Sequence, residues 1–260
     1  MNQWCVLSPE TIIPRGQFTE AQLQPLSGMP LHKETTFLNE WARLLMDRYE
    51  SEQPTTTFLV VENVILETPE RNKHFYRRLF TNTGDPTQDF ITWSSETLAW
   101  WIETTFGNVL FVEGNPPHTN DPVYDVLSLV LNAQNAPTLR LVQVKATPKA
   151  LHHNCSLALG KFQLQETGWF DTELKAKLQL FQRCGLLAPD IQIRDLLYDP
   201  EKRYRLTIVH GEDRNKVQIL TTFNSKVKGG VDRRSAYLVE VSNWKLFWQA
   251  LAKVVYAQLS

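Results

Sequence analysis

From residue 94 to the end of the chain, stretches with helical spacing of apolar residues alternate with short strand-like runs, and this order restricts the possible folds most. Helical spacing occurs over 96–105, where Ser94 or Ser95 is the candidate N-cap, over 150–185 with a break near Gly168, and over 244–259. Runs rich in β-branched and apolar residues occupy 109–112, 124–131, 138–146, 204–210, 216–223 and 236–241. The order helix, three strands, helix, three strands, helix predicts an α/β fold with a mixed β-sheet flanked by helices.

The first 90 residues are less regular. Prolines at 9, 14, 25 and 30 interrupt the beginning, an apolar helical face follows over 37–45, and 57–66 has the composition of a strand. We expect 1–90 to form an N-terminal α/β extension and 91–260 to form the core. The chain has 260 residues, 42% of them hydrophobic, which suffices for one compact unit.

Composition narrows the class of protein. The beginning of the chain lacks a basic segment followed by an apolar run, and no stretch approaches the about 18–20 apolar residues that span a bilayer. We therefore expect a soluble, cytoplasmic protein with no membrane association. Three cysteines without a CxxC pair indicate neither a disulfide framework nor a zinc ribbon. A net charge of -1 argues against coating nucleic acid with the whole surface but permits a local basic groove.

One pair of neighbouring strands carries residues suited to chemistry. Asp125 opens the strand 124–131, whereas Gln143 and Lys145 lie near the end of the strand 138–146. The short link over 132–137 predicts a hairpin, and side chains two apart on a strand share a face. A carboxylate and an amide oxygen are hard ligands suited to Mg²⁺, and a lysine beside them can stabilise a reacting phosphate. The pattern therefore indicates hydrolysis of a phosphodiester.

With these residues the chain resembles the PD-(D/E)xK nuclease superfamily, which includes restriction enzymes, Holliday-junction resolvases and defence nucleases. Asp125 matches the first acid, and Gln143-Val144-Lys145 matches the second element in the QxK form of Mrr-type members. The resemblance covers about residues 94–150. It implies a restriction-endonuclease-like sheet and a nuclease dependent on Mg²⁺ or Mn²⁺. It also implies an acid from the preceding helix, for which Glu96 is the first candidate and Glu103 and Glu113 compete.

In this interpretation Glu96, Asp125 and Gln143 hold the metal, and Lys145 acts near the attacking water. Two departures from the family pattern leave alternatives open. Asp121-Pro122 precedes the strand and Tyr124 stands at the proline position, while neutral Gln143 replaces an acid. The first alternative is an inactive nuclease-fold subunit that binds nucleic acid or serves assembly. The second is a satisfied polar cluster with no chemical role.

Two basic segments are candidates for contacts with DNA. Lys73, Arg77 and Arg78 could contact phosphates or belong to a solvated helix face. The second segment surrounds Gly229-Gly230, either as a phosphate-binding loop or as an exposed hairpin tip, and contains Lys226, Lys228, Arg233 and Arg234. No GxxxxGK[ST] or GxGxxG pattern occurs. We therefore expect a DNA endonuclease of restriction or anti-phage defence type, working as a homodimer or beside a helicase or ATPase subunit.

Overall fold

A computed structural model describes residues 9–14, 19–23, 38–39, 41–45, 79–81, 83–106, 109–114, 124–148, 151–211, 222–241 and 243–258. The strands are β1 (Pro9–Pro14), β2 (Thr19–Leu23), β3 (Val109–Gly114), β4 (Val126–Leu131), β5 (Pro137–Thr147), β6 (Arg203–His210) and β7 (Arg234–Glu240). The helices are α1 (Gln88–Phe106), α2 (Leu151–Glu166), α3 (Asp171–Arg183), α4 (Ile193–Leu197), α5 (Phe223–Lys226) and α6 (Trp244–Gln258). None of the helices in these ranges combines the length and the apolar character that crossing a membrane requires.

The strands form one sheet in the order β1-β2-β7-β6-β5-β4-β3. The strands β3, β4 and β5 pair antiparallel, whereas β5, β6, β7 and β2 run parallel. The five strands from β3 to β7 thus make a mixed sheet flanked by helices, which confirms the predicted mixed α/β class.

The hairpin between β4 and β5 follows from its link. Asn132 accepts backbone hydrogen bonds on its side-chain oxygen from Gln134 and Ala136, and Asn135 adopts a φ of 58°. Asparagine tolerates this left-handed conformation and satisfies turn amides locally. The turn therefore sets the pairing of Leu131 with Pro137 and of Val126 with Val142.

The predicted beginning of α1 is wrong. Ser94 and Ser95 were expected to cap the helix, but α1 begins at Gln88 and both serines are buried inside it. The Ser95 hydroxyl donates to the carbonyl of Ile91, one turn earlier, at 2.8 Å. A serine that bonds back along the helix is compatible with the helix interior, so a serine pair does not by itself mark a helix start.

Each face of the sheet has its own apolar core. On one face, here the α2 face, Leu139, Leu141, Leu206 and Ile208 pack with α2 and α3. On the other, the α1 face, Val209, Val239 and Val241 pack with α1 and α6. The alternation of side chains along each strand divides its residues between these two cores.

The described residues of the N-terminal extension pack with the core. The strand β2 pairs in parallel with β7, and β1 pairs with β2. Residues 38–39 and 41–45 are helical, as the apolar spacing predicted, and Trp41 packs against Phe247 and Trp248. The predicted strand over 57–66 lies outside the described residues.

The second half of the chain matches the prediction in most elements. Gly168, in a left-handed conformation with a φ of 76°, separates α2 from α3 where a break was expected. The predicted strand over 216–223 lies largely outside the described residues, and its last residue, Phe223, begins the short helix α5 instead. The short helix α4 was not predicted.

Candidate functional site

The carboxylate of Asp125 lies directly beside the segment that carries Gln143 and Lys145. Its Oδ2 accepts a hydrogen bond from the backbone N of Val144 at 2.6 Å. The backbone N of Asp125 in turn donates to the carbonyl of Val142 at 3.0 Å. Because β4 begins only at Val126, the Asp125 side chain takes over pairing with β5 where the strand ladder ends. The acid is therefore brought to the QxK element as predicted.

Gln143 and Lys145 share the α2 face of β5. They continue the alternation of Leu139 and Leu141, which pack against α2. Gln143 is fully buried, Asp125 is 8% exposed, and Lys145 is half-buried. Burial raises the pKa of the Cys155 thiol on α2 to about 12, although the nearby charge of Lys145 acts in the opposite direction. The ammonium group of Lys145 therefore lies close enough to Cys155 for its charge to act on the thiol.

The helix α1 packs on the opposite face. Ala99 contacts the apolar cluster of Val126, Val142 and Val144, and Glu103, one turn later, contacts Arg140. This sequence of contacts means that α1 runs antiparallel to β5. Glu96, one turn before Ala99, is half-buried and therefore lies nearer the end of β5 than Ala99 does. The structure thus places Glu96 at the same end of the sheet as Lys145 but on a helix that covers the other face.

The competing acid Glu103 is committed to a buried ion-pair cluster. Its carboxylate pairs with Arg205 and, at 2.8 Å, with Arg140, and it also accepts the Ser128 hydroxyl at 3.1 Å. Arg205 stacks over the ring of Tyr237 with 4.1 Å to its centroid. Burial would raise the pKa of Glu103, but Arg205 and Arg140 outweigh it and hold that pKa below the usual value. This acid joins α1 to the sheet.

The competing acid Glu113 is also engaged. Its Oε2 accepts the hydroxyl of Tyr124 at 2.8 Å, and its Oε1 pairs with Lys177 of α3 at 3.3 Å. The Lys177 ammonium also lies 4.9 Å from the centroid of the Tyr124 ring. This set fixes the residue before Asp125, so Tyr124, Glu113 and Lys177 position the candidate acid. No sequence spacing links Lys177 to the other two residues.

A second polar row at the ends of the parallel strands was not predicted. Thr147 of β5 pairs in register with His210 of β6, which pairs with Glu240 of β7. The Nδ1 of His210 lies 2.5 Å from the carbonyl O of Gly211, and since a carbonyl only accepts, Nδ1 carries the proton. Neighbouring strands are about 4.8 Å apart, and β5 and β6 lie between β4 and β7. Asp125, at the beginning of β4, and Glu240, on β7, are therefore too far apart to hold one ion together.

Two of the predicted DNA contacts are structural instead. Arg233 and Arg234 are buried, at 6% and 5% exposed. The guanidinium of Arg234 donates to the carbonyls of Val227 and Gly229, each at 2.9 Å. Arg233 donates to the carbonyl of Lys202 and pairs with Glu166 at 2.7 Å. Their role as phosphate contacts is therefore wrong, because both hold the loop from beneath.

Two of the predicted basic contacts lie at the surface: Lys226 is half-buried and Lys228 is exposed. Lys73, Arg77 and Arg78 lie outside the described residues, as does Asp121. A groove of about 580 Å³ opens beside the β4–β5 turn and α4, at the beginning of β5. This groove lies at the opposite end of β5 from Lys145, so it does not belong to the candidate site.

Within the ranges that the structure describes, no three His, Cys, Asp or Glu side chains converge as a ready metal site. Comparison with family models, with curated proteins and with solved structures finds no match for this chain. The fold thus stands as a mixed α/β sheet flanked by helices. Its candidate site is one carboxylate, one amide and one ammonium group around the end of β5.

Proposed function

We propose that this protein is a metal-dependent nuclease that hydrolyses phosphodiester bonds of DNA at the end of β5. The observation that carries the proposal is the contact between the Asp125 carboxylate and the backbone of Val144, between Gln143 and Lys145. The order of α1, the three antiparallel strands and α2 also suits the PD-(D/E)xK resemblance. A restriction-endonuclease-like fold is part of this proposal.

The roles of the residues follow from their chemistry. Asp125 supplies an anionic oxygen, Gln143 a neutral carbonyl oxygen, and Glu96 a second carboxylate from the helix turn at the same end. Bound Mg²⁺ would supply Lewis-acid activation of water and phosphate. The Lys145 ammonium stabilises the negative charge that accumulates on the phosphate oxygens. The water oxygen loses a proton to solvent and bonds to phosphorus, the ester bond to the leaving oxygen breaks, and the leaving oxygen takes a proton from solvent.

The donor set fits Mg²⁺ better than an ion that needs a full protein cage. Mg²⁺ usually keeps several waters and binds through one or two carboxylates together with substrate phosphates. Asp125 with Glu96 supplies that number, and the lack of three converging acids among the described residues is then no obstacle. Zinc, by contrast, would need three or four nitrogen, sulfur or oxygen ligands from the protein.

The test is cleavage of supercoiled plasmid and of linear DNA by purified protein with Mg²⁺ or Mn²⁺. We expect cleavage in both metals, abolished by EDTA. Lys145→Ala and Asp125→Asn should each lower the rate by about 10²–10⁴-fold, because each removes a group that acts on the reacting phosphate. Lys253→Ala, an exposed lysine on α6, serves as the matched control and should cleave like the unaltered chain.

Thermal unfolding of each variant separates lost chemistry from lost structure. Cleavage that persists at the original rate in Lys145→Ala contradicts the proposal, as does cleavage that is equally strong in EDTA. Loss of activity in Lys253→Ala would point to a contaminating nuclease, since every variant is purified in the same way.

A second candidate is a nucleic-acid-binding or assembly subunit that retains this architecture without cleaving. Full burial of neutral Gln143, where an acid would hold metal, favours it. Gln143→Glu distinguishes the two. In a nuclease the added carboxylate should tighten Mg²⁺ binding in calorimetry and raise cleavage. In a binding subunit it should lower stability without producing cleavage, and Lys145→Ala should leave DNA binding unchanged.

The biological setting rests on the resemblance alone. We propose a restriction or antiviral defence enzyme of the cytoplasm that cuts DNA as a homodimer or with a helicase or ATPase partner. Size-exclusion chromatography with light scattering tests the dimer, with and without duplex DNA. A monomer in both conditions removes the homodimer from the proposal.

A further inference from the structure

The loop around Gly229-Gly230 is held rigid from below by two buried arginines. Arg234 binds the carbonyls of Val227 and Gly229, and Arg233 binds the carbonyl of Lys228 at 2.5 Å. Gly229 has a φ of 88°, and a Cβ there would lie 2.9 Å from the Arg233 side chain. The loop therefore has one defined shape, in which Lys228 is exposed.

The same arginine joins this loop to the end of α2. Both oxygens of Glu166 accept hydrogen bonds from Arg233, and Lys226 donates to Gln163 at 2.8 Å. Glu166 is the last residue of α2, so the basic loop is attached to the helix end. These contacts bring Lys226 and Lys228 to the turn that follows α2.

That turn presents an exposed tryptophan on a fixed backbone. Trp169 is 72% exposed, whereas its amide donates to the carbonyl of Leu164 at 3.0 Å. The turn depends on Gly168, because a Cβ there would lie 2.8 Å from the Asp171 carboxylate. The ordered turn therefore holds a large aromatic face in water, where it is available for stacking.

The charges around this turn favour an anionic ligand. Glu166 is paired with Arg233. Burial lowers the pKa of Lys202, whereas the charges of Asp171 and Glu166 act to raise it. Both acids therefore already have a cation near them. Asp232 is the further acid of the loop. Asp199 also acts on Lys202, so four carboxylates stand against five cations, which are Lys202, Lys226, Lys228, Arg233 and Arg234.

We propose that Trp169, Lys226 and Lys228 form a binding site for single-stranded nucleic acid, with one base stacked on Trp169 and phosphates beside the lysines. Base faces are available for stacking only where the strand is unpaired, which excludes an intact duplex. The proposal rests on the proposed function in assuming a polynucleotide substrate. The helix α2 begins shortly after β5 ends, and its 16 residues span about 24 Å before this turn.

The experiment measures binding without cleavage. Fluorescence anisotropy of a labelled 20-nucleotide oligothymidine is recorded in EDTA, beside a 20-base-pair duplex of mixed sequence. We expect the single strand to bind more tightly than the duplex, and Trp169→Ala to weaken it by about 5–150-fold, from the energy of one stacked base. Trp169→Phe, which retains a ring, should recover part of this loss.

The lysines are tested by salt dependence. Lys226→Ala/Lys228→Ala should reduce the slope of log affinity against log salt by about 1.4, because each phosphate contact on a single strand contributes about 0.7. The matched control is Lys245→Ala/Lys253→Ala on α6, two exposed lysines on the other side of the sheet, which should leave the slope unchanged.

Several results would overturn the proposal. Unchanged affinity in Trp169→Ala, or equal affinity for single strand and duplex, excludes base stacking at this turn. Binding of anionic phosphatidylglycerol vesicles without binding of the oligonucleotide would assign the turn to a lipid surface instead. Lys145→Ala should bind the oligonucleotide normally in the same assay. Binding without any cleavage by the unaltered chain would contradict the proposed nuclease and leave this binding site standing. Cleavage without binding of the single strand would contradict this binding site and leave the nuclease standing.

Discussion

Two polar clusters share the strand β5 and differ in how they are completed. Near its start, Arg140 meets Glu103 and Arg205 on the α1 face, and every charged group there has a strong partner. Near its end, Gln143 and Lys145 lie on the α2 face beside Asp125, whose carboxylate binds a backbone amide. The first cluster joins a helix to the sheet, and the second places mixed donors at the end of a strand. The kind of group, ion pairs in one cluster and mixed oxygen and nitrogen donors in the other, therefore separates a structural cluster from a candidate site.

The largest expected effect comes from removing the acid of the first cluster, which tests whether that cluster stabilises the fold. Glu103→Gln leaves two buried arginines without their carboxylate, and breaking a buried pair costs about 3–5 kcal/mol. We expect a fall of this size in the free energy of unfolding, measured with urea. Glu173→Gln, an exposed acid of α3, is the control and should change little. A loss below about 1 kcal/mol would mean that the cluster contributes no more than a surface pair.

The same cluster predicts how the free energy of unfolding changes with pH. Arg205 and Arg140 hold the pKa of Glu103 below its ordinary value of 4.5 despite burial, so the folded state favours the ionised acid. Its stabilisation is present above the unfolded pKa and is lost as pH falls through the folded pKa. The difference in unfolding free energy between the unaltered chain and Glu103→Gln should be constant above the pKa of the unfolded state. It should shrink as the buffer becomes more acidic than that pKa. A difference that grows on acidification contradicts this assignment.

The second cluster should show a smaller effect on stability than on activity. Asp125→Asn weakens one charge-assisted hydrogen bond to Val144, which amounts to about 1–2 kcal/mol. We expect that loss in urea unfolding, together with the loss of cleavage proposed above. A loss of stability as large as that of Glu103→Gln would make Asp125 a structural residue and erase the distinction between the clusters.

The smallest effect concerns the thiol beside Lys145. Burial raises the pKa of Cys155 to about 12, and its side chain is fully buried. At pH 8 we therefore expect no reaction of Cys155 with iodoacetamide in the folded protein, and reaction after unfolding in guanidinium, identified by mass spectrometry. Rapid alkylation in the folded state would show that the α2 face near Lys145 opens to solvent.

The sequence predicted the parts of the fold that depend on local periodicity. Strands β3 to β7, the hairpin at Asn132 and the break at Gly168 follow from alternation and turn residues, which act over a few positions. The beginning of α1 was missed because Thr87, whose hydroxyl accepts the amide of Phe90, is the same kind of capping signal as Ser94 and Ser95. The sequence alone does not show which of these residues starts the helix. The thirteen-residue helix α3 was expected, but its lysine Lys177 beside Glu113 was not, since that pairing exists only after packing.

The candidate site was predictable in its centre and not in its surroundings. Asp125 meets Gln143 and Lys145 because hairpin pairing determines neighbours along the sequence. Arg233 and Arg234 were misassigned, because a basic, glycine-containing segment has the same composition whether its arginines face solvent or fold beneath it. The register of His210 with Thr147 arises from parallel pairing across α2 and α3, which no local pattern encodes.

The pairing of β2 with β7 joins Thr19 to Ser235, almost the whole length of the chain apart. On a ribosome, β2 therefore emerges well before β7 and cannot pair with it until β7 has been made. Contacts so distant in sequence carry a high loop-closure cost and form slowly. The last step of folding is then expected to be the closing of this edge, and a nascent chain halted before residue 234 would expose β6 as a bare edge able to recruit foreign strands.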